Sequence, residues 1–252
     1  MEIVNPHLAH SIREQGMIIP PNSFGYIHLA AEIELPRPFF SNSPAKKALL
    51  SELKILCNEL KPAFPAVQRA DLFDAFIIPP GTNPGMELIE RKGYDVHIAK
   101  FDIVILVECT SVNDALAIRD SSEFKKIQQL LEKKSKYTHL MVAKNPNRID
   151  EVSKETNGIF LFNYFYAEDT STLLDVWEYT AGWWTAKANL TNSTPIQPVE
   201  NGSQYNLINH CRWDKLIHVL PSIVLKPSLK SFVLKNFTVN NIVAMPVLYH
   251  LA

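Results

Sequence analysis

Six polar side chains interrupt otherwise apolar, strand-forming runs: His28, Glu108, His139, Asn163, His210 and Arg212. A polar group taken out of water costs free energy unless it finds a partner, so these positions are where a pocket or a reacting centre is sought first. Because side chains alternate along a strand, the run Tyr205 to Trp213 places His210, Arg212 and the following Asp214 on one face. Asn209, Cys211 and Trp213 fall on the other. An imidazole beside a guanidinium is held neutral, and a neutral imidazole is a base near physiological pH. His210 is then a candidate to remove a proton from an acidic carbon, and Arg212 to stabilise the resulting enolate. The plainer reading has His210 bonded to a loop carbonyl and Arg212 paired with Glu108 or Asp214 at the sheet end.

Trp177, Tyr179, Trp183 and Trp184 lie on one helical stretch, and Phe160, Phe162, Tyr164 and Tyr166 in the strand before it. Such a set can wall a pocket for a planar apolar molecule, or simply pack as core. Trp183 and Trp184, with Glu108, Asn163 and His28, are the expected ligand-binding wall beside His210 and Arg212. The remaining histidines, His7, His10, His97, His218 and His250, show no His-x-His or His-Glu-x-x-His spacing, so no metal site is expected. With 8 glycines in the chain and no Gly-x-Gly-x-x-Gly, P-loop or Gly-x-Ser-x-Gly turn, neither a nucleotide cofactor nor serine catalysis is expected. Cys57, Cys109 and Cys211 are widely spaced in apolar context and read as buried small hydrophobes.

The formal charge of -1 comes without a lysine and arginine cluster able to neutralise a run of phosphates, which disfavours nucleic acid as a partner. Lys133, Lys134 and Lys136 read as a solvated helix end. No basic segment leads into an apolar one at the N-terminus, and no apolar run approaches the ~20 residues that span a bilayer. A cytoplasmic protein without a membrane partner is the expectation.

The elements that must position these residues occur twice in the same order. Residues 1–22, punctuated by proline, read as an arm. In residues 23–145, a strand at Tyr26 to Leu35 is followed by a helix capped by Ser43-Pro44 and stopped at Pro62. Next come a strand at Ala70 to Ile78, a turn-rich connection from Pro79 to Gly85, and a strand at Phe101 to Cys109. A helix capped by Asn113 and carrying Phe124 leads to the strand Tyr137 to Val142. Residues 146–157 read as a polar linker. In residues 158–252 the order returns: Ile159 to Tyr166, a helix capped at Asp169 to Ser171, a weaker strand around Pro195 to Val199, and the strand Tyr205 to Trp213. A helix from Pro227 to Phe237 and a strand at Val243 to Tyr249 finish it.

Strand, helix, strand, strand, helix, strand is a ferredoxin-like unit, and Phe101-Asp-Ile-Val-Ile-Leu answers to Tyr205-Asn-Leu-Ile across the repeat. The pattern from about residue 23 to 252 resembles the dimeric α+β barrel superfamily of EthD-like proteins, stress-responsive A/B-barrel proteins and small cofactor-independent monooxygenases. The resemblance implies an α+β fold in which two tandem βαββαβ units close into one barrel with the helices outside. The chain would then be a monomer with an internal pseudo-dimer, or a homodimer. It also implies a pocket, within the barrel or between sheet and helices, for a small apolar or aromatic ligand. The alternatives are a cofactor-independent monooxygenase or isomerase with a histidine base, and an interaction protein that pairs through an exposed barrel edge. In some branches of the superfamily a histidine ligates haem, a role the resemblance extends to His28; no cofactor is otherwise expected.

Overall fold

The computed structural model describes residues 1–9, 17–36, 41–79 and 83–252. Parts of the expected arm, His10 among them, and the middle of the turn-rich connection lie outside these residues. The first unit runs β1 (Gly25–Glu32), α1 (Pro44–Ala63), β2 (Val67–Ile77), α2 (Asn83–Lys92), β3 (Ile103–Cys109), α3 (Val112–Arg119), α4 (Ser122–Lys134) and β4 (Tyr137–Lys144). The second runs β5 (Ile159–Tyr166), α5 (Thr170–Ala188), β6 (Thr194–Pro198), β7 (Leu207–Trp213), α6 (Leu216–Leu225), a π-helical turn (Leu229–Leu234), α7 (Lys235–Val239) and β8 (Val243–Leu251).

The strands join as a closed antiparallel barrel in the order β1-β3-β2-β8-β5-β7-β6-β4. Each unit contributes a four-stranded sheet whose first and third strands are central. The fold is α+β, with the two tandem βαββαβ units closed on each other as expected. The seams differ: β2 and β8 share four register pairs, from Phe73↔Leu251 to Ile77↔Leu248, whereas β4 and β6 share only Ala143↔Pro198 and Lys144↔Gln197. Closure removes the free edge that an edge-pairing interaction protein would need.

Local chemistry accounts for the elements. The Ser43 hydroxyl accepts from the Lys46 amide at 3.1 Å, and Pro44 needs no partner in the first turn. Leu49, Leu53, Cys57 and Leu60 then turn inward at helical spacing. Pro62, expected to stop the helix, lies inside its last turn. Ser111 caps α3 in place of Asn113, and Ser121 restarts the chain as α4, so the one expected helix is two. Asp169 caps α5 by accepting from the Ser171 and Thr172 amides. Two helices escaped the sequence reading. The connection after β2 contains α2, and the segment after β7 forms α6 around Pro221. All three cysteines are buried and free, with thiol pKa values raised by burial, to about 12 for Cys57 and Cys109.

Apolar side chains fill both sides of the sheets. Inside the barrel, Tyr26, Phe73, Leu106, Met141, Phe160, Phe162, Tyr164, Ile208, Met245 and Tyr249 form one cluster. Outside, Leu29, Leu53, Ile105, Phe124 and Ile127 close the first unit against α1, α3 and α4. The second unit packs Phe165, Trp177, Trp183, Leu207, Phe232 and Phe237 beneath α5, the π-helical turn and α7.

Candidate functional site

The expected wall residues divide between two compartments, because register assigns them to opposite sheet faces. His28, Glu108, His210 and Arg212 share the strand face of the barrel-interior residues Tyr26, Leu106 and Ile208. Asn163 lies between Leu161 and Phe165, which face the helices. The single wall of His210, Arg212, Glu108, Asn163, His28 and the Trp183/Trp184 pair is therefore not formed. Trp183 is also set apart. It is fully buried, and its indole N–H donates to the Ser228 hydroxyl at 3.0 Å.

The barrel interior is occupied by its own side chains. His210 stacks on Phe162, with ring centroids 4.2 Å apart, and meets the edge of Phe73 at 5.6 Å. Its Nδ1 is 3.4 Å from the Leu161 carbonyl, while Nε2 has no partner. Burial holds its pKa well below the ordinary value, and Lys154 lowers it further. The cations that affect it are Lys154 and Arg69, not the expected Arg212. Arg212 lies at the barrel end, where it pairs with Asp214 at 2.7 Å and donates to Thr156 and the Asn157 carbonyl. Gly158 makes room for it, since a Cβ there would stand 2.7 Å from the guanidinium Nε. Glu108 is paired with Lys154.

His28 is walled in by Phe162 and Tyr164, each with its centroid 5.6 Å away, and by His139 at 6.1 Å. Its Nε2 is 3.4 Å from the Tyr164 hydroxyl, which is 3.4 Å from that of Tyr249; Tyr249 in turn donates to the Phe101 carbonyl at 2.8 Å. Rings this close on three sides leave no room for a macrocycle on His28, so its surroundings do not fit haem. Burial, and then His139, hold its pKa well below the ordinary value. His139, bonded to the Ser203 hydroxyl at 3.1 Å, is lowered by burial to about 4. Three neutral imidazoles thus share one core. Among the described residues no three histidine, cysteine or acidic side chains converge as a metal site.

The other compartment is a cavity of about 70 Å³ between the outer face of β5, β7 and β8 and the helices α5, α6 and α7. One water needs ~10–15 Å³ of such space. Trp177, Trp184, Leu161, Phe165, Val219 and Ile223 supply apolar wall, and Asn163 and Asn209 the polar spot. These asparagines are direct cross-strand partners, with Pro246 opposite Asn163 on the other side and Pro195 opposite Asn209. The Asn209 carboxamide oxygen Oδ1 accepts from the Ser193 hydroxyl at 2.6 Å, and Thr180 is satisfied by the Val176 backbone carbonyl at 2.8 Å. Asn163 Oδ1 is buried without a partner, the one such side-chain atom among the described lining residues. Of the expected wall, Asn163 and Trp184 meet here. Asn209 went unweighed in the sequence, although alternation already set it opposite His210.

No protein-family model matches the chain, and no curated protein matches it by sequence. Solved structures do match. An anthrone oxidase-like protein superposes with a TM-score of 0.63 at 10% identity, over 93% of this chain and 94% of the other. A putative monooxygenase from Fusobacterium nucleatum gives 0.53 at 8% identity, over 91% and 93%. A dye-decolorizing protein from V. cholerae gives 0.50 at 8%, over 94% and 95%. With the strand order, these likenesses show the fold: a closed α+β barrel built from two ferredoxin-like halves. In this chain both ferredoxin-like halves are fused, and the barrel is an internal pseudo-dimer. Among the described residues no helix is long and apolar enough to cross a membrane.

Proposed function

We propose that the protein binds a small apolar or aromatic molecule with one polar end, in the cavity between the second unit's sheet and helices. The observation that carries this reading is Asn163: its carboxamide oxygen is buried without a partner, on a residue that lines a mostly apolar cavity. A buried polar group without a partner costs about 1–3 kcal/mol, and a ligand hydroxyl or amine that reaches it recovers that cost. Trp177 and Trp184 offer ring faces and edges to a planar ligand.

The oxygenase or isomerase alternative gains no support from the placement of its residues. His210 faces the barrel interior, across β7 from the cavity, and a base must lie within hydrogen-bond reach of the proton it takes. Phenol and benzene as paired probes test the binding reading through tryptophan fluorescence. Saturable binding of phenol, weakened about tenfold or more by Asn163→Leu while benzene binding is retained, is the expected result. Equal phenol affinity in both proteins, or no saturable signal in the parent, overturns it.

A further inference from the structure

The helix that covers the cavity is apolar on both sides. Val219 and Ile223 of α6 line the cavity, while Ile217, Leu220 and Leu225 point away from it, 71%, 41% and 73% exposed. Three of the seven large hydrophobic side chains left exposed among the described residues thus fall on this one ten-residue helix. At 100° per residue the three span a continuous outward arc, the arrangement of a helix lying in an interface. Pro221 interrupts the helix and removes one backbone donor.

Lysines flank this face at both ends. Lys215 stands at the N-terminal end of α6, and Lys226 at its C-terminal end reaches across to the Lys187 carbonyl of α5. Lys187 and Lys215 are themselves exposed. From Lys215 to the last residue the sequence holds four lysines and no aspartate or glutamate, in a chain whose formal charge is -1 overall. The adjacent Asp214 is held by Arg212.

We propose that the outward face of α6 docks on an anionic lipid surface, with Ile217, Leu220 and Leu225 entering the apolar boundary and Lys187 and Lys215 meeting the headgroups. An interfacial helix gains from both contributions, apolar burial and attraction to anionic lipid. A second copy of the chain fits worse. Like-charged lysines would face one another, and three side chains fall short of the ~20–30 residues a side of a stable interface. The docking stands apart from the ligand reading. Its further consequence, that an apolar ligand passes from the bilayer under α6 into the cavity, rests on that reading.

Flotation with phosphatidylcholine vesicles, with and without phosphatidylserine, tests the docking. The parent protein is expected to float with the phosphatidylserine vesicles and to be released by salt. Ile217→Ser/Leu220→Ser/Leu225→Ser lowers partitioning about tenfold or more, and Lys187→Gln/Lys215→Gln also by about tenfold or more. Leu225→Glu alone, at the most exposed position, keeps the test valid if the triple variant does not fold. A parent that stays unbound, or apolar variants that bind as well as the parent, overturns the proposal; so does a dimer that the serine substitutions dissolve without any vesicle binding. Phenol titration without vesicles separates the two readings, because none of the three residues lines the cavity. Intact vesicle binding with no phenol binding sinks the ligand reading alone, and the converse sinks the docking alone.

Discussion

In the first unit the outer face of the central strand pair meets its helices through Leu29 and Ile105, with Leu53 and Phe124 above them, all fully buried. At the central pair of the second unit, the outer face carries Asn163 opposite Asn209 and leaves a cavity beneath α6. One topology thus supports a close-packed interface and a hollow one. Strand order and pairing match, so the difference lies in the side chains and in the helices that cover them. Where branched aliphatic residues interdigitate, the interface serves stability; where paired amides and tryptophans replace them, packing is given up and a site becomes possible. Function is to be sought where the repeat departs from itself.

The largest expected effect probes this contrast directly. Phe124→Ala in the close-packed unit should cost about 3–5 kcal/mol, whereas Ile223→Ala at the cavity wall should cost about 1 kcal/mol, since its neighbours already border a void. Urea unfolding of the two variants measures both; equal losses would erase the distinction between the units.

The barrel interior belongs to both units and gives a pH dependence. His28, His139 and His210 are neutral when folded, with pKa values below their unfolded value of 6.5. Below pH 6.5 the unfolded chain therefore binds more protons than the folded one, and stability falls with pH. For His139 the loss begins near pH 6.5 and levels off below about 4. Within that window each imidazole contributes a slope of up to about 1.4 kcal/mol per pH unit. His139→Gln should flatten stability against pH by up to that amount, measured by denaturant melts between pH 7 and 4, and an unchanged slope would contradict the assignment.

Smaller effects sharpen the comparison. Asn163→Leu should raise stability by about 1 kcal/mol while weakening phenol binding, the opposite sign from any apolar truncation in the first unit. Thermal melts read the first change and fluorescence the second. Arg119→Ala should change stability by less than ~1 kcal/mol, because its pair with Glu200, which ties the first unit to the second, is surface-lying.

Much of the architecture was legible because strands announce themselves by alternation and helices by caps. Ser43, Asp169 and the β3/β7 correspondence were in plain view. The missed helices had physical reasons to be missed. α6 is apolar all round and contains Pro221, so it shows neither amphipathic spacing nor an unbroken run. α2 follows directly on a cluster of prolines and glycines. The site was less legible still. Which polar residues share a compartment depends on which sheet face becomes barrel interior, and that is fixed only when β8 and β6 close against the first unit. Alternation separated His210 from Asn209 within a single strand. It could not relate either of them to Asn163, which is brought opposite Asn209 by long-range register.

Barrel closure also sets an order of events during synthesis. β2 exposes a row of unpaired amides and carbonyls until β8 arrives, and β8 follows it by most of the chain. As the ribosome releases the polypeptide, β2 must wait with an open edge, a template for a neighbouring nascent copy. A stop codon placed just before Val243 would make that wait permanent, yielding a protein with most of its core and a standing tendency to assemble edge to edge.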